Sequence, residues 1–313
     1  MRLADIDEST RRQMLAGEGV CLSAPPFVFR LKSSLSFLEK SIVLAYADFS
    51  VADNSALVDF ELTLSRVSGF RRWLNPLVNL TIDGSKPFDA LPLAQAFPLL
   101  EWGMNWCVTS SAHHLVMCHS AVLAWNDMAV MLPAPPGSGK STLCAALALS
   151  GWRLLSDELA LIDPESLMLQ PFVRPVSLKN ASIDLIGRRF PQAVFTPAVS
   201  DTIKGTVAHM QPPGESVLQA RQLARPRWLI FPRYEAGVEL ALTAMPKAEA
   251  LTEMVGNSFN FSGLGVKGFS TLAAVVDSID CYRLHYASLD QAIAAFSRLS
   301  EMAEMPSGGF SRA

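Results

Sequence analysis

The spacing of apolar residues changes character along the chain. Residues 1–20 are mostly polar and predict a short helix. Apolar and polar positions then alternate over residues 27–31, the period of a half-buried strand, and Leu35, Leu38, Ile42 and Ala45 follow at helical spacing. Residues 58–64 give the clearest alternation, with Val58, Phe60, Leu62 and Leu64 on one face. A further strand is predicted over residues 77–82, closed by the turn-forming pair Asp83-Gly84. Pro87, Pro92 and Pro98 mark a loop-rich passage. This pattern predicts an N-terminal α+β module over residues 1–100, in which Arg71-Arg72 reads as a solvated pair.

A second domain is expected over residues 101–313. Residues 99–112 predict a helix with Trp102 and Trp106 on one face, packing the first module onto the second. Residues 116–125 and 128–132 read as two strands joined at Asn126-Asp127. An alanine- and leucine-rich helix over 142–149 ends before Gly151. Strands follow over 152–158 and 159–162, the latter turned by Asp163-Pro164. Farther on, a strand at 227–231 is expected to pair with the alternating stretch 238–242. Residues 247–255 predict a helix, and 257–268 a Gly/Ser/Asn/Phe-rich loop, either a lid over a ligand or a plain connection. A helix at 272–278, a strand at 281–286 and a last helix begun by a Ser288 capping box complete the pattern, with a frayed tail at 305–313.

Composition narrows the class. Of 313 residues, 50% are hydrophobic and 18% charged, enough apolar material for a large core. A net charge of −3 argues against a nucleic-acid surface as the main function. The five cysteines form no CxxC pair and read as reduced thiols, and adjacent His113 and His114 have no partners for a metal site. The N-terminal stretch lacks the apolar middle of a signal peptide and no apolar run reaches membrane-span length, so a cytoplasmic protein with no membrane partner is expected.

The chemistry concentrates at Ala134-Pro135-Pro136-Gly137-Ser138-Gly139-Lys140-Ser141-Thr142. This reads as a phosphate-binding P-loop, with alanine where the first glycine usually stands. Gly137 and Gly139 let backbone N–H groups turn inward around a nucleotide's phosphates. Lys140 adds positive charge, the Ser141 hydroxyl can join the shell of Mg²⁺, and the following helix aims its positive end at the same anion. Gly137, Ser138, Gly139, Lys140, Ser141 and Thr142 are thus the expected nucleotide-binding residues. The flanks fit, with an apolar strand before and a helix after.

Asp157 follows Lys140 by only 17 positions, so a helix of about three turns returns the chain to the P-loop. One carboxylate of Asp157-Glu158 can then hold Mg²⁺ and one can accept a hydroxyl proton. The same pair could instead cap a turn, and Asp163 is a rival metal ligand that reads better as a turn residue. Positive charge for a moving phosphoryl group is expected from among Arg174, Lys179, Lys204 and Arg233. Lys204 is favoured because Gly205 beside it permits close backbone approach to a ligand.

On these residues the chain resembles the HPr kinase/phosphorylase superfamily, and more closely the HPr kinase-related kinase A family. His119 precedes Lys140 by 21 positions across a hairpin, the P-loop opens a short helix, and an acidic pair follows, Asp-Asp in HPr kinases and Asp157-Glu158 here. Residues 101–106, 174–180, 204–209, 231–234 and 259–261 resemble blocks of the related kinases. Ala134 and Pro136 depart from the HPr kinase loop, and its downstream Glu-x-Arg-Gly signature is missing. The resemblance implies an α/β P-loop kinase core of the HPr kinase/PEP carboxykinase-like type carrying the N-terminal α+β module. It implies ATP and Mg²⁺ as cofactors and transfer to a hydroxyl of a protein or peptide. Asp157 is then the general base, with Lys140 on the γ-phosphate and Ser141, Asp157 and Glu158 as metal ligands. His119, otherwise a core histidine, tunes protonation beside Asp157, and Lys179 and Lys204 help bind the nucleotide. A PqqD-like peptide chaperone, a nucleotidyltransferase and a homo-oligomer are the partners implied. Two other readings fit the same residues: a nucleotide-binding regulator or scaffold that transfers nothing, and a small-molecule kinase.

Overall fold

The computed structural model describes residues 1–53, 55–68 and 75–304. The Arg71-Arg72 pair and the 305–313 tail lie outside the described residues. The first half comprises α1 (Glu8–Ala16), β1 (Val20–Ala24), β2 (Phe27–Ser33), α2 (Leu38–Tyr46), β3 (Ser50–Val51), β4 (Phe60–Arg66), β5 (Leu77–Ile82), β6 (Leu91–Pro92) and α3 (Ala96–Ser111). Its strands form one sheet in the order β3-β1-β2-β4-β5-β6, parallel only at β2–β4, where α2 lies in the crossover. Alternation decides the buried face: Phe27, Phe29 and Leu31 from β2 meet Phe60, Leu62 and Leu64 from β4. Phe29 stacks on Phe60 with ring centroids 5.4 Å apart.

Helix α3 lies directly on this sheet because Gly103 has no side chain. A Cβ there would come within 2.3 Å of Leu80 Cδ2 and 3.3 Å of Leu62 Cδ2. The domain boundary expected at residue 100 therefore falls inside a helix that packs on β4 and β5, and by packing the N-terminal layer runs through α3. Of the two tryptophans only Trp102 packs against the shared core, with Lys204 of the second half over its ring. Trp106 is exposed, while Leu100, Glu101, Met104 and Cys107 form the buried face.

The second half comprises β7 (Val116–Trp125), β8 (Met128–Pro133), α4 (Lys140–Leu149), β9 (Arg153–Ser156), β10 (Leu159–Ile162), β11 (Leu169–Gln170), β12 (Val176–Lys179), α5 (Ala181–Arg189), β13 (Val199–Thr202), β14 (Gly205–Met210), α6 (Gly214–Leu218), β15 (Arg225–Tyr234), β16 (Ala241–Ala244), α7 (Lys247–Gly256), α8 (Phe261–Ser278), β17 (Asp280–Tyr286) and α9 (Leu289–Glu304). An eight-stranded mixed sheet runs β11-β10-β7-β8-β15-β17-β16, with β9 also paired to β7. Its centre, β8-β15-β17, is parallel. Successive residues of these strands bury on opposite faces: Val130, Leu132, Ile230 and Leu284 face a core shared with α4 and α9, and Ala129, Met131, Leu229 and Cys281 face one shared with α7 and α8. Burial on both sides is why β8 reads as an unbroken apolar run. A small sheet, β12-β14-β13, packs on α4 and α5 through β12. The chain is thus a mixed α/β protein whose halves share a core, since Phe172 from the second half sits 5.6 Å from Phe27 and 6.1 Å from Phe29.

Two sequence expectations are corrected. The stretch around 238–242 does not pair with β15. The strand starts at Ala241 and pairs with β17, which already occupies the free edge of β15. The segment 257–268 is not one loop either, because α8 begins at Phe261 and absorbs the bend at Gly265 with φ of 55°. Asn260, just ahead of it, donates to Leu115 O (2.8 Å) and accepts from Met117 N (3.0 Å), tying the segment to β7. Among the described residues, no helix is long and apolar enough to cross a membrane.

Candidate functional site

The hairpin β7–β8 turns at Asn126 with φ of 55° and delivers the chain from β8 into residues 134–139. Gly137 and Gly139 have φ of 88° and 86°, the left-handed region that glycine tolerates best. Around Gly137 nothing lies within 4 Å of where a Cβ would stand, so the loop is open on that side. Behind Gly139 the fit is tight. A Cβ would meet Tyr286 Oη at 2.6 Å and Tyr234 Cβ at 2.9 Å. Two further contacts pin the loop: Tyr234 N donates to Ser138 O (2.9 Å) and Tyr286 Oη to Gly139 O (3.3 Å). The prolines at 135 and 136 supply no N–H and Ser138 N donates to Pro135 O (3.3 Å), so the donors left are the glycine amides and the first turn of α4, whose N–H groups have no carbonyl inside the helix.

Asp157 and Glu158 occupy the break between β9 and β10, both of which pair with β7. The acids thus reach the loop from the far side of β7, one strand farther from β8 than simple adjacency. Lys140, buried at the start of α4, donates Nζ–H to Asp157 O at 2.6 Å, keeping two further N–H donors. Asp157 Oδ2 accepts from Ser177 N (3.3 Å) in β12. Burial pushes the Asp157 carboxyl up from the usual carboxylate range, against the opposing charge of Lys140, with Glu158 adding to the rise and the nearby Ser141 hydroxyl resisting it. Burial alone would raise Glu158 too, but Lys140, Lys204, Arg174 and His119 together hold it below its usual value. His119 is pushed down to about 4, first by burial and then by Lys140. Its ring stands 6.0 Å from that of Phe259.

The two further lysines converge here. Lys179 ends β12 and Lys204 lies in the β13–β14 turn, its Nζ 5.4 Å above the Trp102 ring. Burial lowers the Lys179 pKa, and the positive charge of Lys204 lowers it further, against Glu158 and Asp157. Lys140, Ser141, Asp157, Glu158, His119, Lys179 and Lys204 therefore share one electrostatic neighbourhood. His119 lies with Lys140 and Glu158 rather than chiefly with Asp157. Thr142, next along α4, is half-buried.

The other expected residues are taken up by the fold or lie apart from the loop. Arg174 is buried and committed to Glu101 (3.4 Å) and Asn105 (2.6 Å). Arg233 is exposed beside Glu235 (3.7 Å). Asp163 closes a turn, accepting from Glu165 N (2.7 Å) and Ser166 N (3.2 Å). Gly205 has a role in the fold: a Cβ there would strike Asn180 Oδ1 at 2.5 Å, and that oxygen accepts from Thr206 N at 3.0 Å. Tyr286 and Ser177 were not legible as site residues, since a strand tyrosine and a strand amide carry no local signal. A separate cavity of about 630 Å³, walled by Phe37, Phe97, Pro197 and Val199, holds none of the expected site residues.

The donor set fits a magnesium nucleotide. The buried side-chain oxygens that lack a partner among the described residues are Ser138 Oγ and Asp157 Oδ1, one on the loop and one on the acid facing it. Buried oxygens are rarely left unsatisfied; the Ser138 hydroxyl can donate to a ligand, and the Asp157 oxygen can accept from one or bind its metal. No group of three His, Cys, Asp or Glu side chains among the described residues could hold a metal alone. Mg²⁺ fits that arrangement, because it keeps water and phosphate oxygens around one or two protein ligands. No model of a known protein family matches the chain, and no curated protein does.

Proposed function

We propose that this protein is an ATP-dependent phosphotransferase with a P-loop kinase core of the HPr kinase-related type, acting on a hydroxyl of a protein or peptide. The carrying observation is the convergence of the Gly137–Gly139 turn, Lys140, Ser141 and the Asp157-Glu158 pair on one corner. ATP supplies the phosphoryl group, and Mg²⁺, when bound, neutralises charge on its phosphates. The loop amides and Lys140 bind and orient the γ-phosphate. Ser141 and Asp157 are the residues that would hold the metal, since Asp157 has the Ser141 hydroxyl beside it. Glu158 then takes the acceptor side. It stands with His119, Lys204 and Lys140, and its carboxylate receives the acceptor hydroxyl's proton. This exchanges the role expected for Asp157, on the ground that Asp157 is enclosed between α4 and β12 while Glu158 is the less buried acid. Lys179 and Lys204 carry positive charge to the moving group.

A transfer assay with labelled ATP tests this, offering hydroxyl-bearing peptides, small alcohols and water as acceptors. Glu158→Gln should lower kcat with little change in magnesium requirement, and Asp157→Asn should raise the magnesium needed for half-maximal rate. Nucleotide binding with no labelled product from any acceptor would favour the regulator reading instead.

A further inference from the structure

A chain of buried polar contacts runs from the N-terminal layer into the acidic corner. Tyr46 on α2 donates its hydroxyl to Glu101 Oε1 (2.5 Å). Glu101 on α3 pairs through Oε2 with Arg174 Nη1 (3.4 Å), which also donates to the Glu101 carbonyl (3.0 Å). Arg174 Nη2 donates to Asn105 Oδ1 (2.6 Å), and Asn105 Nδ2 donates to Glu158 Oε2 (3.2 Å). Tyr46, Glu101 and Arg174 are all buried. Arg174 is further held over the Phe172 ring, 4.9 Å from its centroid.

We propose that Asn105 is a positioning residue of the transfer site: locked by Arg174, its amide fixes the Glu158 carboxylate in the direction from which the acceptor hydroxyl is engaged. The proposal rests on the phosphotransferase reading above. A guanidinium can only donate and a carboxylate can only accept, whereas an amide carries one group of each kind. Between Arg174 and Glu158 the Asn105 side chain has one satisfactory orientation, oxygen to the arginine and nitrogen to the glutamate. A direct arginine–glutamate pair would tend to engage both carboxylate oxygens. The interposed amide engages Oε2 and keeps the guanidinium one residue away, so Glu158 is oriented without being taken up in an ion pair. Glu101 and Asn105 stand four residues apart on α3, on one face of the helix. Because α3 packs on the first sheet at Gly103, that sheet sets the height of Asn105 against Glu158. This gives the N-terminal layer a part in the chemistry.

The test uses the full chain with Asn105→Ala, Glu158→Gln and the double variant. Loss of a hydrogen bond to a charged group should lower kcat by about ten- to a hundredfold, with KM for MgATP within about twofold of wild type. In the Glu158→Gln background the Asn105→Ala change should cost no more than about twofold, because the contact it removes has already lost its charge. Asn105→Asp keeps an acceptor for Arg174 but sets a carboxylate against Glu158, and should lose more than alanine does. A second readout needs no turnover: the Asn105 side-chain amide ¹H–¹⁵N resonances should move on Glu158→Gln. Fully additive losses, or amide resonances unmoved by Glu158→Gln, would overturn the role of Asn105 whatever the acceptor. A wild-type chain that binds nucleotide yet transfers nothing would overturn the phosphotransferase reading, while the amide resonances would still report the contact.

Discussion

The N-terminal layer and the corner around Gly137–Lys140 treat their charges in opposite ways. In the first, cations meet carboxylates: Arg2 with Asp5 (2.9 Å), Arg11 with Glu39 (2.5 Å), Lys32 with Glu61 (2.9 Å). Around the loop, Lys140, Lys179 and Lys204 crowd two acids, yet none of the three forms an ion pair with them, and two buried oxygens go without partners. Unpaired buried polar groups lower stability, and a fold selected for stability alone would pair or remove them. Under the proposed function, the difference separates residues that hold the protein together from residues held ready for an anion. If it is correct, substitutions in the two regions should fail in different assays.

The largest effect expected is on Lys140. Lys140→Met should cost the fold about 1–3 kcal/mol, since the Asp157 carbonyl loses its donor, while lowering transfer by about ten-thousandfold, near 5 kcal/mol of barrier, because the γ-phosphate loses its buried counter-charge. Thermal melts and a labelled-ATP assay on the same sample check both halves. A collapse in melting temperature equal to the lost activity would break the comparison, making Lys140 a structural cation held by the Asp157 carbonyl. Glu101→Leu is the converse. It leaves Arg174 buried without its counter-charge and Tyr46 with only the weak acceptor Met104 Sδ (3.3 Å), and should cost about 3–5 kcal/mol of unfolding free energy in urea.

How far this contrast was legible in the sequence depends on the range of each interaction. The β7–β8 hairpin, the loop glycines, α4 and the acids are specified within a few dozen residues, by a two-residue turn, a glycine pair and a helix of fixed length. Their elements stand where the pattern predicts. Arg174 read as one of four candidate phosphate cations because a lone arginine in an apolar block looks uncommitted. Its partners Glu101 and Asn105 are remote in sequence, and nothing local marks them. Gly205 read as a ligand approach, but the atom it makes room for belongs to Asn180. The β16 error has the same origin, since alternation shows that a strand exists and not which edge is free. Local geometry was readable, then, and long-range pairing of charges and edges was not.

Histidine 209 extends the comparison to pH. It is buried, its ring edge-on to Phe97 at 5.2 Å, and its pKa is pushed down to about 3, first by burial and then by Arg174. The sign follows from proton counting. Below pH 6.5 the unfolded chain binds a proton at this histidine that the folded chain refuses until about pH 3, so stability is complete above pH 6.5 and falls as pH drops. The contribution is about 1.4 kcal/mol per pH unit. His119 adds a limb of the same sign down to about pH 4, whereas Glu101, its carboxyl raised by burial, acts oppositely. Comparing denaturation of wild type and His209→Leu between pH 7 and 4.5 isolates the His209 limb, and the variant's curve should be flatter by that slope. Parallel curves would mean that His209 binds its proton equally in the folded and unfolded chains.

The smallest effect is the sharpest test, because its two parts have opposite signs. Lys179 is half-buried near two other lysines, and both burial and Lys204 disfavour its charge. Lys179→Met keeps the side chain's length and removes the repulsion. Without nucleotide the variant should be more stable than wild type by about 0.5 to 1 kcal/mol, the scale of gain seen when strain at a functional site is relieved. With MgATP the order should reverse, since the ligand stabilises in proportion to its affinity and that affinity has lost a cation. Melting curves with and without nucleotide read both signs in one titration. A variant destabilised in both conditions would mean that Lys179 is held by the fold like the lysines of the first sheet. One stabilised in both would detach Lys179 from the phosphate site and leave Lys140 and Lys204 to supply its charge.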